Sequence, residues 1–234
     1  MMRAMILAAG RGERMRPLTD DCPKPLLEVG GMPLIEHHIR KLADIGIKDI
    51  VINHAWLGEK IEQYLGDGSR WQVSISYSDE QEQALETAGG IIKALPLLGD
   101  EPFLVVNGDI YTDFNFAQLP TLEPGMLAHL YLVENPEHNP KGDFFIDNDL
   151  LANTRKFERQ QSYTFSGIAL YRPEFFHNRG QKPSVLPLAP LLRDFAEQQR
   201  ISASVLDDPW MDIGTPQRLA QVNLGLLNTN NRGC

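Results

Sequence analysis

The chain has 234 residues, which is enough for one large domain or two small ones with a sizeable core. Hydrophobic residues make up 42% of the sequence and charged residues 23%, proportions typical of globular proteins. The formal net charge of −9 argues against non-specific nucleic-acid binding, because no basic excess exists to neutralise a phosphate backbone.

The sequence shows no targeting or membrane-spanning pattern. Its N-terminus lacks the apolar region of a signal peptide, and no apolar run approaches the roughly 18 residues that cross a bilayer. Cys22 and Cys234 are the two cysteines, too few for a disulfide framework or a metal cluster. We therefore expect a cytoplasmic protein with no membrane or nucleic-acid partner.

Apolar runs alternate with helical patterns in the first half of the chain. The predicted elements are a strand at 2–9, a helix at 33–42, a strand at 49–53, a helix at 58–65, a strand at 73–77, a helix at 87–95 and a strand at 102–107. The last of these strands is apolar throughout, which is typical of a strand covered on both faces. This β-α-β-α order predicts a mainly parallel sheet.

Strand follows strand in the second half. We predict strands at 126–133, 142–146 and 162–171, a helix at 190–199, a strand at 202–206 and a helix at 216–227. Consecutive strands of this kind predict a mixed or antiparallel portion of the sheet. The absence of repeats and linkers favours a single domain at 1–227 with two halves, about 1–112 and 113–227, and a frayed tail at 228–234.

The loop after the first strand combines glycine with arginine. Gly10 and Gly12 leave bare backbone N–H groups that can approach phosphate oxygens, and three arginines within 11–16 add positive charge. Met15 stands where a dinucleotide fingerprint needs its third glycine, and no Walker sequence occurs. The pattern predicts a phosphate-binding loop, with a tight turn carrying solvated arginines as the alternative.

Three more residues are candidates for charge chemistry. Lys24 lies between two prolines, which stiffen its backbone and suit a lysine that meets a phosphate, or equally an exposed loop lysine. Asp109 follows a central strand, so it is a candidate Mg²⁺ ligand or a β-turn aspartate. Asp212 is the natural second carboxylate; Thr215 and Pro216 after it are explained as the cap and first residue of a helix.

The segment 86–90 opens a helix with small residues. Small side chains let a flat base approach closely, although Thr87 is also an ordinary helix cap, the reading that its residue type favours. His37 and His38 are adjacent on a helix, point apart and are predicted to be structural or solvent-facing. Neither serine nor cysteine has a nucleophilic setting, since no G-x-S-x-G occurs and Cys22 has no evident base.

Taken together, these motifs resemble the signature of the sugar-1-phosphate nucleotidyltransferases. The matching stretches are 7–19, 23–26, 86–90, 106–109, 165–168 and 210–216, in the family's order and across almost the whole chain. The resemblance implies a three-layer α/β/α fold with a mixed, mainly parallel sheet and a small sugar-binding lobe. The first half would then bind the nucleotide and the second the sugar.

The resemblance also implies roles for individual residues. It assigns Arg14 and Lys24 to catalysis and Asp109 and Asp212 to Mg²⁺, with Gly12 helping to hold the triphosphate. The implied nucleotide-binding residues are Leu7, Ala8, Ala9, Gly10, Gly12, Lys24, Glu86, Gly89 and Asn107. The implied sugar-binding residues are Asn107, Gly142, Asp143, Glu158, Phe165 and Gly167.

Within the family, the short length and the stretches 13–16 and 138–143 are most similar to the bacterial uridylyltransferases that act on N-acetylmuramate 1-phosphate in cell-wall recycling. This implies Mg²⁺-dependent uridylyl transfer from UTP to that sugar phosphate. The alternatives are glucose 1-phosphate or mannose 1-phosphate as acceptor with another nucleoside triphosphate, and a non-catalytic nucleotide-sugar sensor.

The sequence departs from the family in its second half. Longer members carry a Glu-Lys-Pro motif whose lysine binds the sugar phosphate; here Lys156 or Arg159 is the candidate substitute. Phe144 and Phe145 are bulky for a sugar-binding turn. Longer relatives often assemble through C-terminal extensions that this sequence lacks, so we expect a monomer, with a dimer as the alternative.

Overall fold

The computed structural model describes residues 2–81, 84–177 and 185–230 of the chain. The strands of that part are β1 (Ala4–Leu7), β2 (Glu28–Val29), β3 (Met32–Pro33), β4 (Asp49–His54), β5 (Ser74–Asp79), β6 (Phe103–Asn107), β7 (Ile110–Thr112), β8 (Ala128–Val133), β9 (Phe144–Asp147), β10 (Leu150–Ala152), β11 (Ser162–Tyr171), β12 (Ile201–Val205) and β13 (Trp210–Asp212). Its α-helices are α1 (Leu34–Asp44), α2 (Gly58–Leu65), α3 (Glu86–Leu98), α4 (Leu188–Glu197) and α5 (Pro216–Asn230).

One mixed sheet organises the molecule. Its nine strands lie in the order β5-β4-β1-β6-β11-β8-β12-β10-β9. The strands β5, β4, β1 and β6 are mutually parallel, as the β-α-β-α order predicts. Strand β11 is antiparallel to β6 and to β8, so the change of rhythm in the second half correctly predicts a mixed sheet.

Hydrophobic side chains cover both faces of this sheet. Ala4 and Ile6 of β1 pack into one core cluster and Met5 into the other, because successive strand residues point to opposite faces. The first cluster includes the buried faces of α1 and α2, and the second includes those of α3 and α4. Since burying each large apolar side chain contributes about 1.5–3 kcal/mol, these two layers hold the helices against the sheet.

The ends of four helices differ from the prediction: α1 spans Leu34–Asp44, not 33–42, α3 spans Glu86–Leu98, not 87–95, α4 spans Leu188–Glu197, not 190–199, and α5 spans Pro216–Asn230, not 216–227. Helix α3 begins at Glu86, one residue early, and no side chain caps it, so the cap assigned to Thr87 is wrong. Helix α5 continues to Asn230, so the predicted frayed tail is helical up to that residue. The remaining predicted tail, 231–234, lies outside the described residues.

The prediction missed several short elements. Strands β2 and β3 form a small hairpin, and β10 lies between β12 and β9 in the main sheet. Strand β13 pairs antiparallel with β7, and Asp212 lies opposite Ile110. Two or three residues are too few to show a periodicity, so only the three-dimensional pairing reveals these strands.

No helix within the described ranges is long and apolar enough to span a membrane.

Candidate active site

A cavity of about 400 Å³ opens where the parallel strands β1, β4 and β6 end. Open α/β sheets bind ligands at this edge, because the carboxyl ends of parallel strands meet there. The volume lies within the usual range for small-molecule sites. The predicted site residues that line it are Leu7, Ala8, Ala9, Gly10, Gly12, Arg14, Lys24, Glu86, Asn107 and Asp109.

The loop after β1 needs a glycine at Gly12. This residue has φ of 70°, and an added Cβ would lie 3.0 Å from Thr19 Cγ2 and 3.3 Å from Lys24 Cβ. Met15, fully buried, anchors the loop in a small cluster that also contains Val222 of α5. Met15 therefore fixes the loop to the hydrophobic cluster, while Gly10, Gly12 and Arg14 of the same loop line the cavity.

The three arginines of the loop have different partners. Arg14 is exposed and lines the cavity. Arg16 pairs with Asp20 at 2.6 Å, and Arg11 stacks over the ring of Trp56. Of the three loop arginines that the sequence analysis assigned to phosphate binding, Arg14 is thus the one that lines the cavity.

Lys24 and Asp109 form an ion pair inside the cavity. The Nζ atom of Lys24 lies 2.6 Å from Asp109 Oδ2, and only 9% of the lysine side chain is exposed. A 3-10 turn at Lys24–Leu26, with Pro25 in it, mounts the lysine. Asp109 follows Gly108, whose N–H donates to the Leu7 carbonyl at 2.8 Å. This backbone hydrogen bond joins the ends of the neighbouring strands β6 and β1, and the ion pair ties the turn at Lys24 to the end of β6.

Asp212 is brought beside Asp109 by backbone pairing. The N–H of Ile213 donates to the Asp109 carbonyl at 2.7 Å. Asp212 Oδ1 accepts from the Arg218 guanidinium and lies 3.2 Å from His138 Nε2. Asp212 itself lines a second cavity of about 820 Å³, so it stands behind the wall of the first.

Gly214 lies between the lining of the first cavity and the Asp212–Arg218 pair. It lines that cavity, and an added Cβ would lie 2.9 Å from Asp212 Oδ2 and 2.4 Å from Arg218 Nη2. A larger residue at Gly214 would therefore push the carboxylate and the guanidinium away from the cleft. Gly214 was not among the predicted site residues, although it lies in the matching stretch 210–216 that also contains Asp212.

The two aspartates fit a divalent cation through the chemistry of their oxygen atoms. Hard cations such as Mg²⁺ take oxygen ligands, usually one or two carboxylates plus substrate phosphates and waters. Within the described residues, no group of three or more His, Cys, Asp or Glu side chains could hold a metal ion by itself. The pair Asp109 and Asp212 thus suits a cation that arrives with phosphate.

A buried polar network that the sequence analysis missed shapes one wall of the cavity. Asn53 Oδ1 accepts from the Ala8 N–H at 2.9 Å, and Asn53 Nδ2 donates to Glu80 Oε1 at 2.6 Å. Glu80 Oε2 accepts from the Leu85 N–H at 2.7 Å. Asn53 is the second-last residue of β4. The principle that ligands bind at the carboxyl ends of parallel strands, which made Asp109 a candidate, therefore applies to Asn53 as well.

Of the predicted sugar-binding residues, Asn107 lines the first cavity. The others lie outside it, and four of them fall into two groups. Asp143 accepts from the Phe165 N–H at 2.9 Å, and an added Cβ on Gly142 would lie 2.8 Å from the Tyr163 carbonyl. Gly167 has φ of 82° and packs directly on Asn107, whose Nδ2 would lie 2.6 Å from an added Cβ.

Two predicted site residues lie apart from the others: Glu158, predicted to bind the sugar, and Gly89, predicted to bind the nucleotide. Glu158 is exposed, and its carbonyl accepts from Arg155 Nη1 at 3.0 Å. The Gly89 N–H donates to the Leu186 carbonyl at 3.1 Å, and the residue does not line the cavity. Lys156, a candidate for the missing lysine, pairs with Asp147 of β9.

The two histidines of α1 hold backbone, as predicted for structural residues. His37 Nε2 contacts the Val29 carbonyl at 2.8 Å, and His38 Nε2 contacts that of Ile110 at 2.9 Å. Burial lowers the pKa of His38 to about 4, so its ring is neutral at neutral pH. It therefore donates a hydrogen bond to the strand that follows Asp109.

This fold, with a glycine-arginine loop and paired carboxylates at one sheet edge, defines a phosphate-binding α/β protein. The sequence profile of the nucleotidyl transferase family matches residues 3–123, more than half of the chain. The chain belongs to this family, among its sugar-1-phosphate nucleotidyltransferases. The family generally uses a divalent metal, in agreement with the oxygen ligands of the site.

Similar proteins cover nearly all of the chain. A protein of Neisseria meningitidis serogroup B, named N-acetylmuramate alpha-1-phosphate uridylyltransferase, is 52% identical over 94% of this chain and 96% of its own length. A Caulobacter vibrioides protein of the same name is 33% identical over 92% of each chain. The mannose-1-phosphate guanylyltransferase catalytic subunit beta of Drosophila pseudoobscura is 31% identical over 92% of this chain and 60% of its own.

Two solved structures share the fold. A Bacillus anthracis protein, described as a candidate glucose-1-phosphate thymidylyltransferase and solved with sucrose, has a TM-score of 0.80 and 24% identity over 96% of this chain and 94% of its own. HddC from Yersinia pseudotuberculosis, solved with GMP-PN, has a TM-score of 0.76 and 20% identity over 97% of this chain and 100% of its own. At these identities the likeness establishes the fold alone, and it confirms the predicted fold class.

Proposed function

We propose that this protein transfers a uridylyl group from UTP to N-acetylmuramate 1-phosphate, releasing pyrophosphate and forming the UDP-sugar. The observation that carries the proposal is the 52% identity, over 94% of the chain, to a relative named for that reaction. Family membership gives the type of reaction, and the relative's name suggests the two substrates. The reaction takes place in the cytoplasm in this proposal, with the protein acting as a monomer.

In the proposed reaction, a phosphate oxygen of the sugar 1-phosphate attacks the α-phosphorus of UTP. The bond from that phosphorus to the oxygen bridging to the β-phosphorus breaks, and pyrophosphate leaves with the electron pair. The attacking phosphate is already ionised at neutral pH, so the reaction needs no general base. This agrees with a cavity whose described lining contains neither histidine nor cysteine.

The chain's own residues position the substrates and neutralise charge. The backbone from Leu7 to Gly12 lines the base and triphosphate, and Arg14 and Lys24 compensate the negative charge that grows on the leaving pyrophosphate. Asp109 and Asp212 would hold Mg²⁺, which supplies electrostatic stabilisation of the phosphates when it is bound.

The acceptor sugar is assigned to the second half of the chain, about 113–227, and the nucleotide to the first, about 1–112. The contact of Gly167 with Asn107, which lines the cavity, supports an acceptor site next to the nucleotide. Gly142, Asp143 and Phe165 form the other proposed part of that acceptor site. Glu158 is the weakest member of the predicted sugar set, because its described contact is made by its backbone and not by its side chain.

A second candidate is guanylyl transfer from GTP to mannose 1-phosphate. It is favoured by the 31% identity to the Drosophila guanylyltransferase subunit. A non-catalytic nucleotide-sugar sensor on the same fold is a third, from another class of protein; the presence of both Asp109 and Asp212 favours an enzyme over it.

The test is pyrophosphate release with UTP or GTP against N-acetylmuramate, N-acetylglucosamine, glucose and mannose 1-phosphates, with Mg²⁺ and with a chelator. We expect the highest kcat/KM for UTP with N-acetylmuramate 1-phosphate, and a product of the mass of the UDP-sugar. Asp109→Asn and Asp212→Asn should lose most of this activity. Asp113→Asn is the matched control, because Asp113, just after β7, pairs with Lys41 of α1 and does not line the cavity.

A different best pair of substrates would overturn the specificity. Nucleotide binding without pyrophosphate release for every acceptor would favour the sensor. Size-exclusion chromatography with light scattering on the same preparation would measure the molar mass, and so test the proposed monomeric state independently of activity.

A further inference from the structure

Each of the two carboxylates is already neutralised by a cation of the chain. Lys24 Nζ lies 2.6 Å from Asp109 Oδ2, and the guanidinium of Arg218 contacts Asp212 Oδ1. His138 lies on the same oxygen, with its Nε2 at 3.2 Å. Lys24 lines the first cavity and Arg218 lines the second. Gly214 lines the first cavity and lies against the Arg218 guanidinium, since an added Cβ would be 2.4 Å from its Nη2.

Three of the four charged side chains in these ion pairs are largely withdrawn from water. The side chains of Lys24 and Arg218 are 9% and 15% exposed and that of Asp212 is 20% exposed, whereas that of Asp109 is 39% exposed. Both cations and Asp212 are therefore shielded from water, and Asp109 is the member open to the cleft. Coulomb attraction is stronger in such surroundings than at the surface, because the effective dielectric constant is lower. A charge that leaves one of these pairs must find another partner, since an unpaired charge at this depth is costly.

A divalent cation at Asp109 and Asp212 competes with Lys24 and Arg218 for the same oxygen atoms. A phosphate group in the cleft offers the two released cations new oxygen partners of the right charge. When the divalent cation and phosphate bind together, every charge of the site has an opposite charge beside it. When the divalent cation binds alone, Lys24 and Arg218 are displaced and have no new partner.

We propose that Lys24 and Arg218 are exchangeable counter-ions, which neutralise Asp109 and Asp212 in the free protein and move to substrate phosphate when a divalent cation binds. Arg218 thereby becomes a substrate-binding residue of the site, on the side of the second cavity. The inference rests on the proposed function in one respect, that the substrates carry phosphate.

The surroundings of Arg218 define the competing explanation. Its backbone N–H bonds Thr215 Oγ1 at 3.3 Å at the start of α5, so the residue also has a place in the helix. Glu134, Glu137, Asp207 and Asp208 line the same cavity. A purely structural Arg218 would stabilise Asp212 and the helix without affecting how the site binds cations.

The test measures the binding of Mn²⁺ alone to the full chain by electron paramagnetic resonance of the free ion. An adjacent opposite charge changes the affinity of a carboxylate for a proton by about 10- to 1000-fold. We therefore expect Lys24→Gln and Arg218→Gln each to bind Mn²⁺ at least about tenfold more tightly than the unaltered protein. Arg200→Gln is the control, since Arg200 donates to the Gly125 carbonyl far from the site.

A second measurement ties the effect to Asp212. In the double variant Asp212→Asn with Arg218→Gln, the gain in Mn²⁺ affinity should disappear. Equilibrium dialysis with UTP, without acceptor, should show that Mn²⁺ and UTP each strengthen the binding of the other in the unaltered protein, and that Arg218→Gln weakens this coupling.

Unchanged Mn²⁺ affinity in both single variants overturns the proposal. If circular dichroism shows that Arg218→Gln is unfolded, Arg218→Lys replaces it; its looser pairing should give a smaller gain in the same direction, and no gain has the same adverse meaning. A protein that forms the UDP-sugar but shows no gain loses this inference and keeps its function. A protein with the expected gains but no product with any acceptor loses the function alone.

Discussion

Arg11 and Trp56 both donate a hydrogen bond to the carbonyl oxygen of Thr19, at 3.2 and 3.1 Å, and the Arg11 guanidinium lies 3.5 Å from the Trp56 ring centroid. Thr19 Oγ1 in turn donates to the Gly12 carbonyl at 2.8 Å. Trp56 follows β4, whose Asn53 holds the start of the same loop at Ala8. The connection from β4 to α2 thus braces the glycine-arginine loop at both of its ends.

Replacing Trp56 with alanine should loosen this loop. The variant loses a cation–π contact of about 0.5–1 kcal/mol and a hydrogen bond of about 0.5–1.5 kcal/mol. We expect KM for UTP to rise about 5- to 30-fold, with a smaller change in kcat. Trp56→Phe retains the ring and should recover part of the loss; an equal loss in both variants would assign the effect to the hydrogen bond alone.

Lys24→Ala should lower kcat. Because Lys24 is the buried cation of the cavity, its loss removes charge stabilisation of about the size seen when an oxyanion donor is deleted, roughly 10²–10³ in kcat. Steady-state pyrophosphate release measures it. Lys93→Ala, on the exposed side of α3, is the control and should keep the rate. Near-normal turnover in a folded Lys24→Ala protein would contradict the role given to this lysine.

Glu86→Gly should stabilise the fold. Glu86 has φ of 61°, a left-handed conformation that costs a non-glycine residue about 1–2 kcal/mol. Glycine removes this strain from the folded protein, but its greater conformational freedom also stabilises the unfolded chain. The net free energy of unfolding should therefore rise by about 0.5–1 kcal/mol. Urea unfolding measures the gain.

The same position separates stability from binding. Glu86 lines the cavity, so its loss should also raise KM for UTP. Glu86→Ala removes the side chain and keeps the strained backbone; it should raise KM similarly without the gain in stability. Equal stability of the glycine and alanine variants would argue against strain at this residue.

Gly108→Ala should destabilise the sheet. An added Cβ would lie 2.6 Å from the Leu7 carbonyl oxygen and 3.3 Å from Ile6 Cγ2, both in the central strand β1. Overpacking of this kind costs about 1–3 kcal/mol. Gly225→Ala is the contrast, because an added Cβ there meets no atom within 4 Å inside α5 and should stabilise the helix by about 0.5–1 kcal/mol. Urea unfolding of both variants gives the two signs.

Stability should fall in acid through His129. Burial lowers the pKa of this histidine from 6.5 to about 4, opposed by the charge of Asp149, and its ring nitrogens contact Ser202 Oγ at 2.9 Å and Ser204 Oγ at 3.0 Å. The folded protein therefore binds a proton less readily than the unfolded chain. The contribution is complete above pH 6.5 and is lost as the pH falls towards 4, by at most about 1.4 kcal/mol per pH unit.

Urea unfolding at several pH values tests this direction. His129→Gln keeps a polar side chain but removes the titration, so its free energy of unfolding should depend less on pH between 6.5 and 4. Parallel curves for the two proteins would show that other groups cause the acid dependence. Among them is His38, whose pKa burial also lowers.

Local patterns were enough to predict the parallel half of the sheet and the loop that follows β1. Leu34, Ile35, Ile39 and Leu42 recur at helical spacing, and all four are fully buried on α1. The predicted bounds of α2 and β11 match the structure. Such elements are readable because the spacing of their apolar residues and the strand-to-loop transition are properties of adjacent residues.

Thr87 shows where local chemistry misleads. Its residue type favours a helix cap, yet α3 begins one residue earlier and Leu85 occupies the cap position. Glu80, a buried acceptor for the Leu85 N–H, ties down the segment that enters the helix. Glu80 is itself held by Asn53 of β4, so a tertiary contact fixes the entry to the helix and overrides the preference of a single side chain.

The family, the fold class and the residues that line the cleft along β1 and β6 could be predicted from the amino-acid sequence, because those features depend on motifs a few residues long. Which charges meet could be learned only from the three-dimensional arrangement of the strands. Lys24 pairs with Asp109 across 85 positions. Arg218 pairs with Asp212 only six positions away, but this second pair lies beside Asp109 because β13 aligns with β7. The partner of a charge depends on which strands are neighbours in space, and no local pattern specifies that. For this reason the loop, its lysine and the two carboxylates were predicted as separate motifs, and their arrangement as a self-neutralised site appears only in three dimensions.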